Sequence, residues 1–335
     1  MSRLIVLLSA LAIIVPTLPV LAILESQDAS NKIKSGGDQP PEVPLREVER
    51  EIAANRFQES EPRLRAYLKD HPDSSKAHYD LGYIQFRTHN VAASIKELSK
   101  SLELNAANAE AHKILGLDCS IIGRDDLAET ELVEAARLKP ESGEIHYFLA
   151  RTYYTRGVYP LAKSEFQTAI RLEPSFVKAY SNLGITMEAL GDSAEALKNY
   201  TEAIQLEEQH KHRSEWPYIY LSSFYNRQNN AAQALIYART AIELNPRSDT
   251  ASFEIAKAYR TQKQLQKSAD AARSAIAINP RVAEYYYVLG LVLRELGNQK
   301  ESAEALAKYA QLQQPSGNAL PEPVAQEPLT AAEPR

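Results

Sequence analysis

The sequence predicts an all-α solenoid of stacked helix–turn–helix repeats, and three observations carry that prediction. A proline recurs: Pro72, Pro140, Pro174, Pro246 and Pro280 are spaced by 68, 34, 72 and 34 residues, multiples of a 34-residue period with one excess of four. A second register repeats beside it. Leu81-Gly82, Leu115-Gly116, Leu149-Ala150, Leu183-Gly184, Leu221-Ser222, Ile255-Ala256 and Leu289-Gly290 follow the same period, with one 38-residue gap between the fourth and fifth. Within each period, two runs of apolar residues are spaced by three and four, the helical pattern. A period sustained this long decides the architecture before any single residue is weighed.

The elements follow in chain order. Arg3 precedes an uncharged, mostly apolar run from Leu4 to Leu24, interrupted by Pro16 and Pro19 and ending near Val20-Leu21-Ala22. This is the pattern of an export signal, with Val20 and Ala22 at the −3 and −1 positions of the cleavage site and 1–24 as the signal segment. The run is also long enough, at about 32 Å as a helix, to be a retained membrane anchor. Both readings stand, and both place the repeats outside the cytoplasm, as a periplasmic, secreted or surface-anchored protein. No cysteine lies near the site, which excludes a lipoprotein. Residues 25–40, with Gly36-Gly37 and Pro40-Pro41, read as a polar linker.

Eight repeats are expected over 41–314, starting near 41, 75, 109, 143, 177, 215, 249 and 283. In each, a turn near position 15 is marked by Gly123, Gly157, Gly191, Asn229 or Gly297, and the proline closes the second helix because it cannot continue one. Small residues on the second helices (Ala128, Ala162, Ala196 and Ala234, with Ser94, Ser268 and Ser302) face the Gly/Ala/Ser position of the first. Small side chains on both sides let the axes approach; a larger one costs roughly 1–3 kcal/mol in overpacking. The excess four residues, near 211–214, fall between the fifth and sixth repeats and predict a longer loop. The tail, 315–335, has five prolines and three glutamates and reads as unstructured.

The pattern in Ala179-Tyr180, Leu183-Gly184, Gly191, Ala196, Tyr200 and Ala203 resembles the tetratricopeptide repeat, or TPR. So does the preceding repeat, with Leu149-Ala150, Tyr153, Gly157, Ala162, Phe166, Ala169 and Pro174. The resemblance spans 75–314 and, more loosely, 41–74, where the first repeat keeps Phe57, Leu64, Tyr67 and Pro72 but lacks the Leu-Gly pair. It implies a right-handed superhelix whose first helices line a concave groove, with positions 2, 5, 9, 12 and 13 pointing inward. In the second to seventh repeats those positions, apart from position 2, hold Arg87, Lys113, Arg151, Arg227, Lys257 and Arg260 against one acid, Glu188. Interleaved are Tyr79, Tyr83, Phe86, Tyr147, Tyr154 and Phe253, with Trp216 at position 2. The chain as a whole has net charge −5 and pI near 5.9, so a cationic groove is no by-product of composition. Arginine and aromatic residues are the types that anchor interfaces.

Narrower functions fail on the residues. A clamp for a terminal carboxylate, as in chaperone-tail receptors, breaks at once because Lys113 is followed by Leu117 and Phe148. The asparagine series of sugar-transferase repeats is absent: position 6 reads Asp80, Ile114, Phe148, Asn182, Tyr220, Glu254 and Val288. His78, His112 and His146 share position 4 with Tyr180, Tyr218 and Tyr286 elsewhere. Helices packed about 8–10 Å apart hold such residues too far apart to share a zinc ion at about 2 Å, so they read as packing residues. The run Glu207 to His212 includes Lys211, and it too is read as non-metal. Cys119, the single cysteine, sits at a core position. No catalytic constellation, cofactor loop or global basic field for nucleic acid is present.

The expected function is therefore a non-enzymatic scaffold that binds a protein, or an extended peptide with acidic and apolar residues. By fold-level analogy it would serve envelope assembly or secretion, with a membrane tether if 4–24 is retained. The alternatives are a carbohydrate or cell-wall binder using the aromatics, and a self-assembling structural protein. The oligomeric state is open.

Overall fold

The computed structural model describes residues 45–211 and 213–314. The expected export segment, linker and tail lie outside the described residues. The described residues divide into two compact bodies, one up to residue 106 and one from residue 107. The first contains α1 (Leu45–Ala53), α2 (Phe57–Asp70), α3 (Ser75–Arg87) and α4 (Val91–Leu104). The second contains α5 (Ala109–Ile121), α6 (Asp125–Leu138), α7 (Gly143–Thr155), α8 (Tyr159–Leu172), α9 (Val177–Ala189) and α10 (Ser193–Glu207). It continues with α11 (Trp216–Arg227), α12 (Ala231–Leu244), α13 (Asp249–Thr261), α14 (Leu265–Ile278), α15 (Ala283–Glu295) and α16 (Gln299–Gln313). The described residues thus form sixteen helices and no strand, a helix pair for each expected repeat.

Each repeat is delimited as its sequence dictates. The second helices α2, α6, α8, α12 and α14 end two residues before Pro72, Pro140, Pro174, Pro246 and Pro280, because the residue before a proline is pushed out of helical conformation. Two residues after three of these prolines, Ser74, Ser142 and Ser248 accept a hydrogen bond from a first-turn backbone N–H and start the next helix. All eight intra-repeat turns carry one residue with positive φ. Glycine takes it at 123, 157, 191 and 297, whereas Asn55, His89, Asn229 and Lys263 take it at the cost of crowding their own Cβ.

The helix pairs meet through matched sizes. A Cβ on Gly184 would lie 2.6 Å from the Tyr200 ring, and one on Gly82 2.7 Å from Leu98. Where the first helix carries Ser222 or Ala256 instead, Ala238 or Ala272 stands opposite in sequence register, and both are fully buried. The small serines also form bonds. Ser94, Ser268 and Ser302 donate to the carbonyls of Gly82, Ala256 and Gly290 at 3.0, 2.7 and 2.7 Å, so each buried hydroxyl is satisfied while tying the helix pair together.

Two places depart from the pattern. Helix α1 has nine residues where the first helices of the later repeats have twelve or thirteen. Its partner α2 is joined to it by Arg63, which pairs with both Glu47, at 3.0 Å, and the largely buried Glu51. The expected long loop lies between α10 and α11, residues 208–215, against four residues at the neighbouring junctions. Glu207, 4% exposed, anchors it by accepting from the Ser214 backbone N–H at 2.5 Å.

Candidate functional site

The predicted binding residues lie on the first helices, and their surroundings separate them into groups. In the N-terminal body, Phe86 is buried in the core. Tyr79, Tyr83 and Arg87 are half-exposed along α3. Tyr79 stacks on Tyr83 with ring centres 6.5 Å apart. The Arg87 guanidinium lies over the rings of Phe57 and Tyr83 at 5.3 and 5.6 Å and donates to the Tyr83 hydroxyl at 2.6 Å.

In the C-terminal body Tyr147 is only 3% exposed, surrounded by Phe148, Phe166 and Phe176. Phe86 and Tyr147 therefore serve packing. Arg151 lies over the Tyr147 ring at 5.8 Å. Tyr154, whose hydroxyl pKa is raised by burial, meets Tyr159 at 5.4 Å. Trp216 meets Tyr220 at 5.8 Å, and Phe253 lies between Tyr285 and the Lys257 ammonium.

The cationic surplus expected from positions 5, 9, 12 and 13 is largely cancelled in the folded chain. Lys113 binds Glu110 and Glu144 at 2.7 and 2.6 Å. Arg227 forks onto Glu188 at 2.8 and 2.6 Å, and Glu188 also accepts from Tyr200 at 2.5 Å. Lys257 binds Glu254 at 2.6 Å, and Arg260 binds Glu295 at 2.8 Å. The missed partners are acids at position 2 (Glu110, Glu144), position 6 (Glu254) and the end of the last first helix (Glu295). Counting position 2 and the eighth repeat would have revealed three of the four. These pairs do structural work: Lys113–Glu144, Glu188–Arg227 and Arg260–Glu295 each join the first helices of adjacent repeats. Burial disfavours the charge on Lys113, but the two glutamates outweigh it and hold its pKa above the ordinary lysine value.

The histidine row is built into the repeats. Nδ1 of His78, His112 and His146 lies 2.7, 2.7 and 2.6 Å from Oε2 of Glu97, Glu131 and Glu165 on the second helix of the same repeat. Nε2 of His78 and of His146 lies 3.0 Å from the carbonyl of Pro72 or Pro140, which closes the preceding repeat. Tyr286 replaces histidine in the eighth repeat and donates to the Pro280 carbonyl at 3.2 Å. At His146 both partners are acceptors, an arrangement that favours the protonated ring, and the Glu165 bond is the main cause of its raised pKa. Cys119 is buried, and that burial pushes its thiol up to about 12, so it is no nucleophile at neutral pH. Among the described residues no cluster of three or more His, Cys, Asp or Glu is arranged to hold a metal ion. No described helix is long and apolar enough to cross a membrane.

Three family profiles, each described as a tetratricopeptide repeat, match residues 45–117 with 225–282, 165–198, and 283–315. The chain belongs to the tetratricopeptide repeat family. Its TPR helix pairs also fill the stretches between the matched segments, around 118–164 and 199–224, the latter holding the long loop. No curated protein sequence matches the chain significantly. Solved structures share the fold. A tetratricopeptide repeat protein from Parabacteroides merdae superposes with a TM-score of 0.62 at 15% identity, over 74% of this chain and 97% of that one. A chain of the APC/C hetero-tetramer Cut9-Hcn1 gives 0.60 at 15% identity over 82% of this chain and 53% of its own. Yeast Tom70 gives 0.59 at 13% identity, over 77% and 55%. At these identities the likeness is one of fold. TPR folds are generally non-enzymatic scaffolds that bind protein or peptide partners.

Proposed function

We propose that this protein is an exported, non-enzymatic scaffold that binds a protein partner, or an extended segment of one, along its first-helix face. The observation carrying the reading is the chemistry of that face. On the first helices, Tyr79, Tyr83 and Arg87 of the N-terminal body and Arg151, Tyr154 and Trp216 of the C-terminal body stay half-exposed. Shape and aromatic anchoring would supply affinity, with the cations setting register. The neutralised cations shift the expected ligand away from a uniformly acidic peptide toward a mostly apolar one with few, well-placed acids. Export rests on residues 4–24, and a place in envelope assembly is an extension of it.

Photo-crosslinking tests the face directly. A crosslinker placed in turn at Arg151, Tyr154 and Trp216, and at Thr130 and Arg239 on second helices, is activated in envelope extract. A partner caught from the first three positions and absent from the last two is the expected result. Capture only from the second helices would move the partner site away from the first-helix face. Protection of the folded chain from protease in whole cells, lost when the outer barrier is opened, checks export. Recovery in the cytosolic fraction would overturn it.

A further inference from the structure

The eighth repeat differs from those before it where a following repeat would pack. In the seventh, Ala269 and Ala272 on α14 are fully buried in one cluster with Val288, Leu289 and Val292 of α15, and Ile276 packs against it. The residues in the same register on α16 are Ala303, Leu306 and Ala310. Ala303 and Ala310 are exposed and Leu306 is half-buried, so α16 presents an apolar strip that no described helix covers.

Another repeat does not fit there. Ala135, Ala169, Ala203, Ala241 and Ala275 share one position of the second helices, each fully buried, and α16 carries Tyr309 at that position. Phe253, on the first helix of the seventh repeat, packs on Tyr285 of the next repeat with ring centres 4.7 Å apart. Its counterpart Tyr287 meets Tyr309 at 5.1 Å instead, and stays 43% exposed. Tyr309 thus takes the space of a following repeat's ring, and a helix brought to the usual spacing would be overpacked. This argues against a second copy stacked end to end and leaves room for a single extended segment.

Such a segment begins where α16 stops. Pro315-Ser316-Gly317-Asn318 are residue types that reverse a chain, and Ala319-Leu320-Pro321-Glu322-Pro323-Val324 follows them. With three residues per turn, the polyproline II form that such prolines favour puts Leu320 and Pro323 on one edge and Pro321 and Val324 on the next, with Glu322 on the third, toward water. Two adjoining apolar edges suit a strip beside a raised ring. From Gln314 back to Lys300 is about 21 Å of helix, which about seven such residues span. Glu322 and Glu327 lie on either side of that point in the tail. Lys300, and Arg294 at the end of α15, form no ion pair with a described residue.

We propose that residues 319–324 fold back along α16 and cover Ala303, Leu306, Ala310 and the Tyr287–Tyr309 pair, so that the chain caps its own eighth repeat. This does not rest on the reading of the first-helix face as the partner site.

The test uses the full chain with a photo-crosslinking residue at Ala310 or, in a second preparation, at Gln311. Both are exposed and equally close to the tail along the chain, but they point about 100° apart around the helix. Light and isotope-labelled chains are mixed before irradiation, so that mass spectrometry separates adducts within one molecule from adducts between two. The expected result is an adduct from position 310 to residues 319–324 of the same molecule, in several-fold higher yield than from position 311. Leu320→Ser with Val324→Ser should lower the yield from 310 about fivefold or more, by removing the apolar contact, and leave that from 311 unchanged. These substitutions lie outside the sixteen helices, so a lost core contact cannot imitate the effect. Equal yields from 310 and 311, or a yield from 310 indifferent to the serines, would reduce the contact to tether proximity and overturn the proposal. Adducts mainly between light and labelled chains would overturn it in favour of a second copy on this face.

Discussion

The first and fifth repeats hold two antiparallel helices together by different means. In the fifth, Gly184 on α9 lies directly against the Tyr200 ring of α10, with the fully buried Ala196 and Ala203 on the same helix. Contact there is backbone against ring, and the Tyr200 hydroxyl reaches across to Glu188. In the first, the corresponding position is Val48, which joins Ile52 and Leu64 in a conventional cluster of branched side chains. The shorter α1 is then fastened by Arg63 to Glu47 and Glu51. A steric lock needs no charge and tolerates no growth. The ionic fastening tolerates side-chain change but responds to salt. The difference shows that the repeat geometry specifies where helices cross, while the means of holding them there can be exchanged.

Substitutions that trade one means for the other test this comparison. Gly184→Val, which gives the fifth repeat the residue the first already has, should cost about 3 kcal/mol, because its Cβ would lie 2.6 Å from an immovable ring. The reciprocal Val48→Ala should cost only about 2 kcal/mol, the loss of two buried methyl groups. Urea midpoints, with hydrogen exchange to locate the loosened repeat, would measure both. Equal costs would show that the two interfaces are alike after all. Arg63→Met should cost about 1–2 kcal/mol at low salt and progressively less as salt rises, since that side chain is 30% exposed. Salt-independent destabilisation would mean that Arg63 acts by its aliphatic stem. At the turns, Lys263→Gly should stabilise by about 0.5–1 kcal/mol, and Asn55→Gly by less, because asparagine adopts positive φ more readily than lysine.

The smallest effect concerns pH. His146 has a raised pKa in the folded chain, set chiefly by Glu165. A raised folded pKa means that its contribution is fully present below the unfolded histidine value, about 6.5, and fades as pH climbs through the folded value. The wild type should therefore gain more stability over His146→Gln at pH 5.5 than at pH 8.5, read as a widening gap between their melting temperatures. A gap that instead widened with rising pH would show the ring to be bound as the neutral form.

Periodicity made the architecture legible: the eight helix pairs, the proline stops and the long loop near 211–214 all follow from residues that recur. The serine positions were legible as small, but their bonds to Gly82, Ala256 and Gly290 were not, since size alone does not say where a hydroxyl points. His89 and Lys263 gave no sign of positive φ by residue type, and only the period places them at the turn. The binding face was harder to read because charge is a property of pairs. Arg227 counts as a cation in the sequence and as half of a neutral fork in space, its partner Glu188 lying 39 positions earlier. Lys113 and Arg260 likewise count as cations in the sequence and as halves of ion pairs in space.

The loop between α10 and α11 exposes Lys211 and Arg213, both cleavage points for trypsin, on a stretch twice as long as the neighbouring junctions. A cut there would sever the polypeptide without separating what it joins. Helix α11 still lies against α9 and α10, with Arg227 clamped on Glu188 and Gln228 bonded to Ser193. A nicked preparation should show two bands under denaturing conditions and elute as one species in native buffer, and the fragments should reassociate after dilution from urea as a split protein does.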